Sequence, residues 1–306
     1  MNELVSAVIP TYNYAHFLCA AIDSVLAQTY KNIEVIVVDD GSSDNTSEVV
    51  KKYEGKITYI YQKNQGLSAA RNTGIRAAHG TYVAFLDADD IWLVDKITEQ
   101  MRLFESGNNV GAVSCRFYEV DESLRVLGES RHKDYPPAEL KKRLMAKNVV
   151  SGGSSVVVKK ACFDAVGLFD ESLRSAEDWD MWLRIERKYI IRLVEKPLLK
   201  VRVGSYSMSS AGNAQKMLDN EMVVLDKYFG RGYSILKGQS LSRRYAAAAW
   251  AFSVQGQHKE ALRCLFVTFW FYPLALFQKD KLGVVLTVIR NGLFFKDQKR
   301  SGALAQ

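Results

Sequence analysis

The chain has 306 residues, 48% of them hydrophobic and 25% charged, enough to bury a sizeable core and unlike a disordered or fibrous sequence. Its four cysteines, Cys19, Cys115, Cys162 and Cys264, form no CxxC pair, which speaks against a zinc ribbon or a disulfide framework and fits a reducing compartment. The net charge of +7 is uneven: residues 227–306 carry 13 Lys and Arg against 3 acidic residues, a net of +10, leaving −3 on residues 1–226. That asymmetry suggests two units. The basic tail suits an anionic membrane face, and no nucleic-acid partner is expected. The opening MNELVSAVIP lacks a basic region and a long apolar core, so a cytoplasmic protein, peripheral on the inner face of the cell membrane, is the expectation.

Val5 to Pro10 (VSAVIP) predicts a buried strand that Pro10 stops. Phe17 to Gln28 places Leu18, Ala21, Ile22, Val25 and Leu26 at helical spacing. Ile33 to Val38 predicts a second strand, ending on Asp39 and Asp40 before Gly41 and a turn-forming SSDNT run. A helix over Thr46–Tyr53, a strand over Ile57–Tyr61 and a helix over Leu67–Ala78 lead to Tyr82–Leu86, a short apolar run that reads as a strand buried on both faces. Asp87, Asp89 and Asp90 follow at once. Carboxylates crowded at a strand end repel one another unless a hard cation sits between them, so a divalent-metal site is one reading. The other is that Asp89 and Asp90 cap a helix predicted over Ile91–Glu105.

Strand and helix alternate with short joints, the pattern of a parallel, doubly wound α/β sheet whose ligands sit at the carboxyl ends of the strands. Tyr12 and Asn13, Asp39 and Asp40, and Asp87 and Asp89 then share one edge, with Arg71 beside them if the helix near Leu67 points its first turn that way. An aromatic ring, carboxylates, a metal and an arginine match the needs of a nucleoside diphosphate. With no GxGxxG in the first turn and no GxxxxGK[ST] anywhere, its phosphates must be neutralised by the metal and Arg71.

Further on, Val110–Val120 predicts a strand and Asp121–Pro137 a polar loop. Ser151-Gly152-Gly153-Ser154-Ser155 offers either a close backbone approach to a ligand or a plain tight turn before a strand at Val156–Val158. Ala176-Glu177-Asp178-Trp179-Asp180 opens an amphipathic helix carrying Trp182, Leu183 and Ile185. Acids in a first helical turn are stabilising by about 0.3–1 kcal/mol, but that does not call for Trp179 among them. In the tail, Arg243–Pro273 reads as an alanine-rich helix, a break at Gly256 and a second helix. The apolar run Cys264–Phe277 falls short of the roughly 20 residues of a spanning helix. It suits a helix pair lying on a bilayer with Trp270, Phe271 and Tyr272 at the interface, or one packed on protein.

The segments VIPTYNYAHFLCAAIDSVLAQTYKNIEVIVVDDGSSDNT, NQGLSAARNTGIRAAHGTYVAFLDADD and FDESLRSAEDWDMWLRI, in this order, resemble the family-2 glycosyltransferases over roughly residues 4–210. The resemblance implies an α/β GT-A fold, a Rossmann-like, mostly parallel sheet with helices on both faces. Residues 1–215 would be catalytic, with a donor half to about 105 and an acceptor half from about 106. Residues 216–306 would form a basic, helical C-terminal region. The resemblance also implies inverting transfer of a sugar, from a UDP-sugar by preference, to a hydroxyl of a glycan or lipid-linked acceptor in cell-surface polysaccharide synthesis.

By position it implies that Tyr12, beside Pro10, stacks on the base, that Asp40 accepts a base N–H and that Arg71 steadies the base or diphosphate. Asp87 faces the ribose and metal, and Asp89 binds Mg²⁺ or Mn²⁺. Asp178 is the general base, favoured as the anion by its helix N-terminus, and Glu177 supports it. Asp39 either contacts the base or braces the turn at Gly41. Relatives often carry a His where Gly204 stands, so Arg202 becomes the substitute phosphate contact. A nucleotidyltransferase would want Lys or Arg within Pro10–Asn13 and finds none. A non-catalytic nucleotide-sugar or glycan-binding module would not need the Asp87, Asp89 and Asp178 that are present.

Overall fold

The computed structural model describes residues 2–107, 109–203, 214–230, 234–277 and 281–290. The chain forms two compact units, Met1–Leu144 with Asn148–Gly204, and Met145–Lys147 with Ser205–Gln306.

In the first unit the chain runs β1 (Val5–Thr11), α1 (Ala15–Leu26), β2 (Ile33–Asp39), α2 (Thr46–Val50), β3 (Thr58–Tyr61), α3 (Leu67–Ala77) and β4 (Tyr82–Phe85). It continues through β5 (Ile91–Trp92), α4 (Lys96–Glu105), β6 (Val110–Val120), β7 (Val126–Glu129), α5 (Pro137–Ala146), β8 (Val157–Lys159), α6 (Ala161–Val166), α7 (Glu177–Glu186) and β9 (Ile190–Arg202). One nine-stranded sheet has the order β3-β2-β1-β4-β8-β6-β9-β5, with β7 on β6. Strands β3, β2, β1 and β4 are parallel. Beyond them β8 runs antiparallel to β4 and to β6, while β9 is parallel to β6.

Strands β1 and β4 are buried along their whole length, as central strands covered on both faces must be, and β3 is the exposed edge. The chain leaves β1 for β2 and β3, then crosses back to β4 on the other side of β1. That reversal opens a crevice at the carboxyl ends of β1 and β4, where open α/β sheets hold their ligands.

Three expectations are corrected. Pro10 does not stop β1: it lies opposite Val38, and the Thr11 carbonyl accepts the Asp40 N–H at 2.9 Å, so the ladder continues past the missing donor. Ile91–Glu105 is not one helix. Ile91 and Trp92 pair with Lys200 and Leu199 as a short strand, and helix begins at Lys96. Asp121–Pro137 is not all loop, because Val126–Glu129 folds back as a hairpin partner of β6.

The second unit holds α8 (Ala214–Phe229), α9 (Ile235–Val254), α10 (His258–Phe271) and a helical segment at 281–290. Leu218, Ala249, Phe252, Ala261, Cys264 and Val288 lie in its core. Among the described residues, no helix is long and apolar enough to cross a membrane.

Candidate active site

The loop after β1 is tied to the loop after β2. Asn13, left-handed at φ 57°, accepts the Ser43 N–H on its side-chain oxygen at 2.8 Å and donates its own N–H to Ser42 Oγ at 2.9 Å. Tyr12, the residue before Asn13, is 48% exposed. Pro10, by contrast, is buried within the strand.

At the end of β2, Asp39 accepts the Ser42 N–H at 2.8 Å and the Tyr59 hydroxyl at 2.7 Å. It is buried and braces the turn at Gly41. Asp40 accepts from Gln62 Nε2 at 2.7 Å, from the Gln65 N–H at 2.9 Å and from the Gly66 N–H at 2.7 Å. A carboxylate offers about four acceptor sites, so Asp40 keeps room for one further donor.

The acids after β4 are differently placed. The Asp87 N–H donates to Ser154 Oγ at 2.9 Å, and its side chain is 35% exposed. Asp89 is pushed up to about 6, first by burial and then by the Asp87 charge. Asp90 is pushed well above the usual carboxylate range by burial and by Asp89 and Asp87. Its Oδ1 accepts the Arg202 N–H at 3.1 Å, so it pins the end of β9 and caps no helix. The Arg202 guanidinium packs 4.4 Å over the Phe17 ring and donates to the Asp89 carbonyl.

Arg71 joins this cluster to α7. Its guanidinium is 2% exposed, with Nη2 2.8 Å from Asp87 Oδ1 and Nη1 2.7 Å from Glu177 Oε1. Phe85 and Phe169 flank it at 6.0 and 5.5 Å. Burial alone would lower its pKa, but Asp87 and Glu177 carry it above the ordinary value. What approaches Gly153 is this guanidinium: a Cβ there would meet Nη2 at 2.8 Å.

Asp178, half-buried beside Glu177, accepts from Asn148 Nδ2 at 3.1 Å and from the Trp179 N–H at 2.6 Å. Its pKa is raised to about 7 by burial and by the Glu177 charge, against the pull of Arg71. The helix N-terminus does not prevail here as expected, because desolvation and a like charge next door outweigh a dipole worth at most about 2 kcal/mol. Ala176 and Ser151 on either side are both left-handed, at φ 63° and 89°. Such strain costs about 1–3 kcal/mol per residue and clusters at functional sites. Trp179 is buried, its ring N–H donating to the Leu144 carbonyl at 2.7 Å, and so anchors α7.

Asp87 and Glu177 are thus linked through Arg71, Asp178 follows Glu177 in the chain, and Asp89 and Asp90 crowd next to Asp87. Gly204 lies outside the described residues. Asn148 looks like an ordinary loop polar until the fold brings it to Asp178, and Ser154, within the glycine-containing stretch 151–155, meets Asp87 rather than marking a backbone approach to a ligand. Asn72, also missed in reading the sequence, accepts the Phe169 N–H at 2.9 Å and fixes the loop before α7. Hard oxygen donors crowded together, with Asp89 raised by burial and by the Asp87 charge, are chemistry that a divalent cation relieves, so Asp87 and Asp89 fit Mg²⁺ or Mn²⁺. Among the described residues no group of three or more metal-ligating side chains converges.

Structures of known proteins share this architecture. The chain matches S. aureus TarS residues 1–349 in complex with UDP-GlcNAc with a TM-score of 0.61 at 18% identity, over 98% of this chain and 92% of that one. It matches the mannosyltransferase PcManGT from Pyrobaculum calidifontis, in complex with GDP-Man and Mn²⁺, with a TM-score of 0.58 at 18% identity, over 95% and 86%. The fold is that of the GT-A glycosyltransferases.

The family model for glycosyl transferase family 2 matches residues 6–163. An uncharacterized glycosyltransferase of Rickettsia typhi is 35% identical over 241 residues, 73% of this chain and 76% of the relative. One from Rickettsia prowazekii is 35% identical over 206 residues, 66% and 64%. The chain belongs to glycosyl transferase family 2. It spans only 35% of a third relative, from Rickettsia conorii.

Proposed function

We propose that this glycosyltransferase moves a sugar, with inversion, from a nucleoside-diphosphate sugar to a hydroxyl of a glycan or lipid-linked acceptor in cell-surface polysaccharide synthesis. A UDP-sugar is the first choice of donor, and the inner face of the cell membrane is the place of work. The observation that carries the reading is Asp178. It is a half-buried carboxyl raised to about 7, held by Asn148 and the Trp179 N–H, and linked through Glu177 and Arg71 to Asp87 in the donor crevice.

A general base is most effective with a pKa near the working pH. Asp178 takes the proton from the acceptor hydroxyl as that oxygen bonds the anomeric carbon. The bond from that carbon to the diphosphate breaks on the opposite face, and its electron pair leaves with the nucleoside diphosphate. Tyr12 stacks on the base, Asp40 offers its remaining acceptor site to a base N–H, and Arg202 lies near the phosphates. Asp89, with Asp87 beside it, would hold Mg²⁺ or Mn²⁺, which would supply charge neutralisation for the diphosphate. Arg71, expected to steady the base or diphosphate, is 2% exposed and paired with Asp87 and Glu177, and in this reading it positions those two acids. Residues 1–105 form the donor half in this reading and 106–215 the acceptor half. The UDP-GlcNAc in TarS and the GDP-Man with Mn²⁺ in PcManGT support the donor class.

The test is a panel of UDP- and GDP-sugars screened for thermal stabilisation with and without Mn²⁺, followed by NMR of the product's anomeric configuration. One donor should raise the melting temperature only with the metal, and the product should be inverted. A retained configuration would sink the in-line mechanism.

A further inference from the structure

Helix α10 is apolar on two sides. Ala261, Cys264, Leu265 and Thr268 are buried within the helical unit. Away from them Leu262, Phe266 and Trp270 follow at intervals of four residues, 57%, 68% and 72% exposed, with the Phe266 and Trp270 rings stacked at 5.9 Å. Leu274, just past the helix, is 59% exposed. A surface helix normally carries one apolar stripe, facing its own core. This second stripe is unaccounted for by the unit's packing.

Trp270, Phe271 and Tyr272, expected together at an interface, are divided in the structure. Phe271 stacks on Tyr245 at 6.3 Å and the Tyr272 hydroxyl accepts from Gln239 at 3.2 Å, so both are engaged within the unit while Trp270 faces out. A similar exposed run, Leu282, Leu286 and Ile289, lies on the helical segment 281–290.

Charge selects the occupant. Lys259 and Arg263 are exposed at the start of the stripe, where Arg263 shares a loose 3.9 Å contact with Glu260. Residues 227–306 carry a net +10. A second copy would set two such charges against each other, whereas an anionic lipid surface is attracted by them. The stripe offers side chains suited to the headgroup boundary, Trp270 above all, on a helix too short to span.

We propose that the Leu262–Phe266–Trp270 face of α10 docks on an anionic bilayer, the helix lying along its surface. This deepens the reading of a lipid-linked acceptor and rests on it only for its purpose.

The test is flotation of the full chain with phosphatidylglycerol-containing and with pure phosphatidylcholine vesicles, at low and high salt, without donor. The wild type should float with anionic vesicles, less so at high salt but still measurably, since only the electrostatic part is screened. The Phe266→Ser/Trp270→Ser variant should lose about tenfold of the bound fraction. Its donor-induced thermal stabilisation should be unchanged, so that failure of docking and failure of the transferase reading show up separately. Brominated lipid should quench tryptophan emission in the wild type and less in Trp270→Phe, which keeps the ring and the packing. Absence of flotation, flotation equal in wild type and double variant, or quenching unchanged in Trp270→Phe would overturn the proposal. So would a wild-type dimer that the double variant dissociates while neither floats, which would make the face a self-association surface.

Discussion

At the end of β2, Asp39 and Asp40 are surrounded by donors: the N–H groups of Ser42, Gln65 and Gly66, the Tyr59 hydroxyl and the Gln62 amide. At the end of β4, Asp89 and Asp90 are desolvated beside Asp87 and held toward their neutral forms. Both are acid pairs at the carboxyl end of a parallel strand. The difference is that Asp39 and Asp40 are satisfied by donors of the loop that follows, whereas Asp89 has acids for neighbours, the setting in which the proposed cation would bind. Through Arg71 the β4 cluster extends to Glu177 and so to Asp178, and the comparison is best tested along that line.

The largest effect is expected at Asp178. Asp178→Asn keeps the shape but cannot take a proton, so kcat should fall by about 10²–10⁴ while donor affinity persists. Wild-type kcat should rise with pH through about 7 as Asp178 ionises, and the variant's residual rate should lack that rise. Matching pH profiles in steady-state assays would remove Asp178 from the role of base.

Next comes the link itself. Arg71→Met leaves Asp87 and Glu177 facing each other without their shared cation, and losing one partner of a buried pair costs about 3–5 kcal/mol. Urea unfolding measures it. A double-mutant cycle with Glu177→Gln should show coupling, and additive losses would mean that the two charges do not act as a unit.

The smallest effects separate the two acid pairs most sharply. Asp39→Asn weakens the Ser42 and Tyr59 bonds and should cost about 1–3 kcal/mol of stability with turnover nearly intact. Asp89→Asn should leave stability equal or higher, because a desolvated, repelled charge is gone, yet abolish metal-dependent donor stabilisation. Thermal melts of both variants with and without Mn²⁺ and donor decide between them, and the opposite pattern would break the comparison.

Much of the first unit was legible in the chain. The alternation of short apolar runs with helical stripes specified β1, β2 and β4 and the helices between them, because burial on both faces needs an unbroken apolar run and a covering helix needs a 3.6-residue stripe. Strand β3, the exposed edge, followed from the same alternation. The acids at the strand ends stood out because carboxylates crowded there repel one another, whereas the Glu177-Asp178 pair was given its role by the family resemblance.

Tertiary structure decided the rest. Ile91 and Trp92 became a strand because Leu199 and Lys200 offered an edge to pair with, a partner more than 100 residues away that no local pattern reveals. Asn148 reached Asp178, Ser154 reached Asp87, and Gly153 made room for Arg71 only once the sheet had assembled. The sequence by itself determined which residues could be strand, helix and acid. Folding decided which acids are satisfied and which are not, because the cost of a charge depends on the donors, charges and solvent around it, and these come from distant parts of the chain.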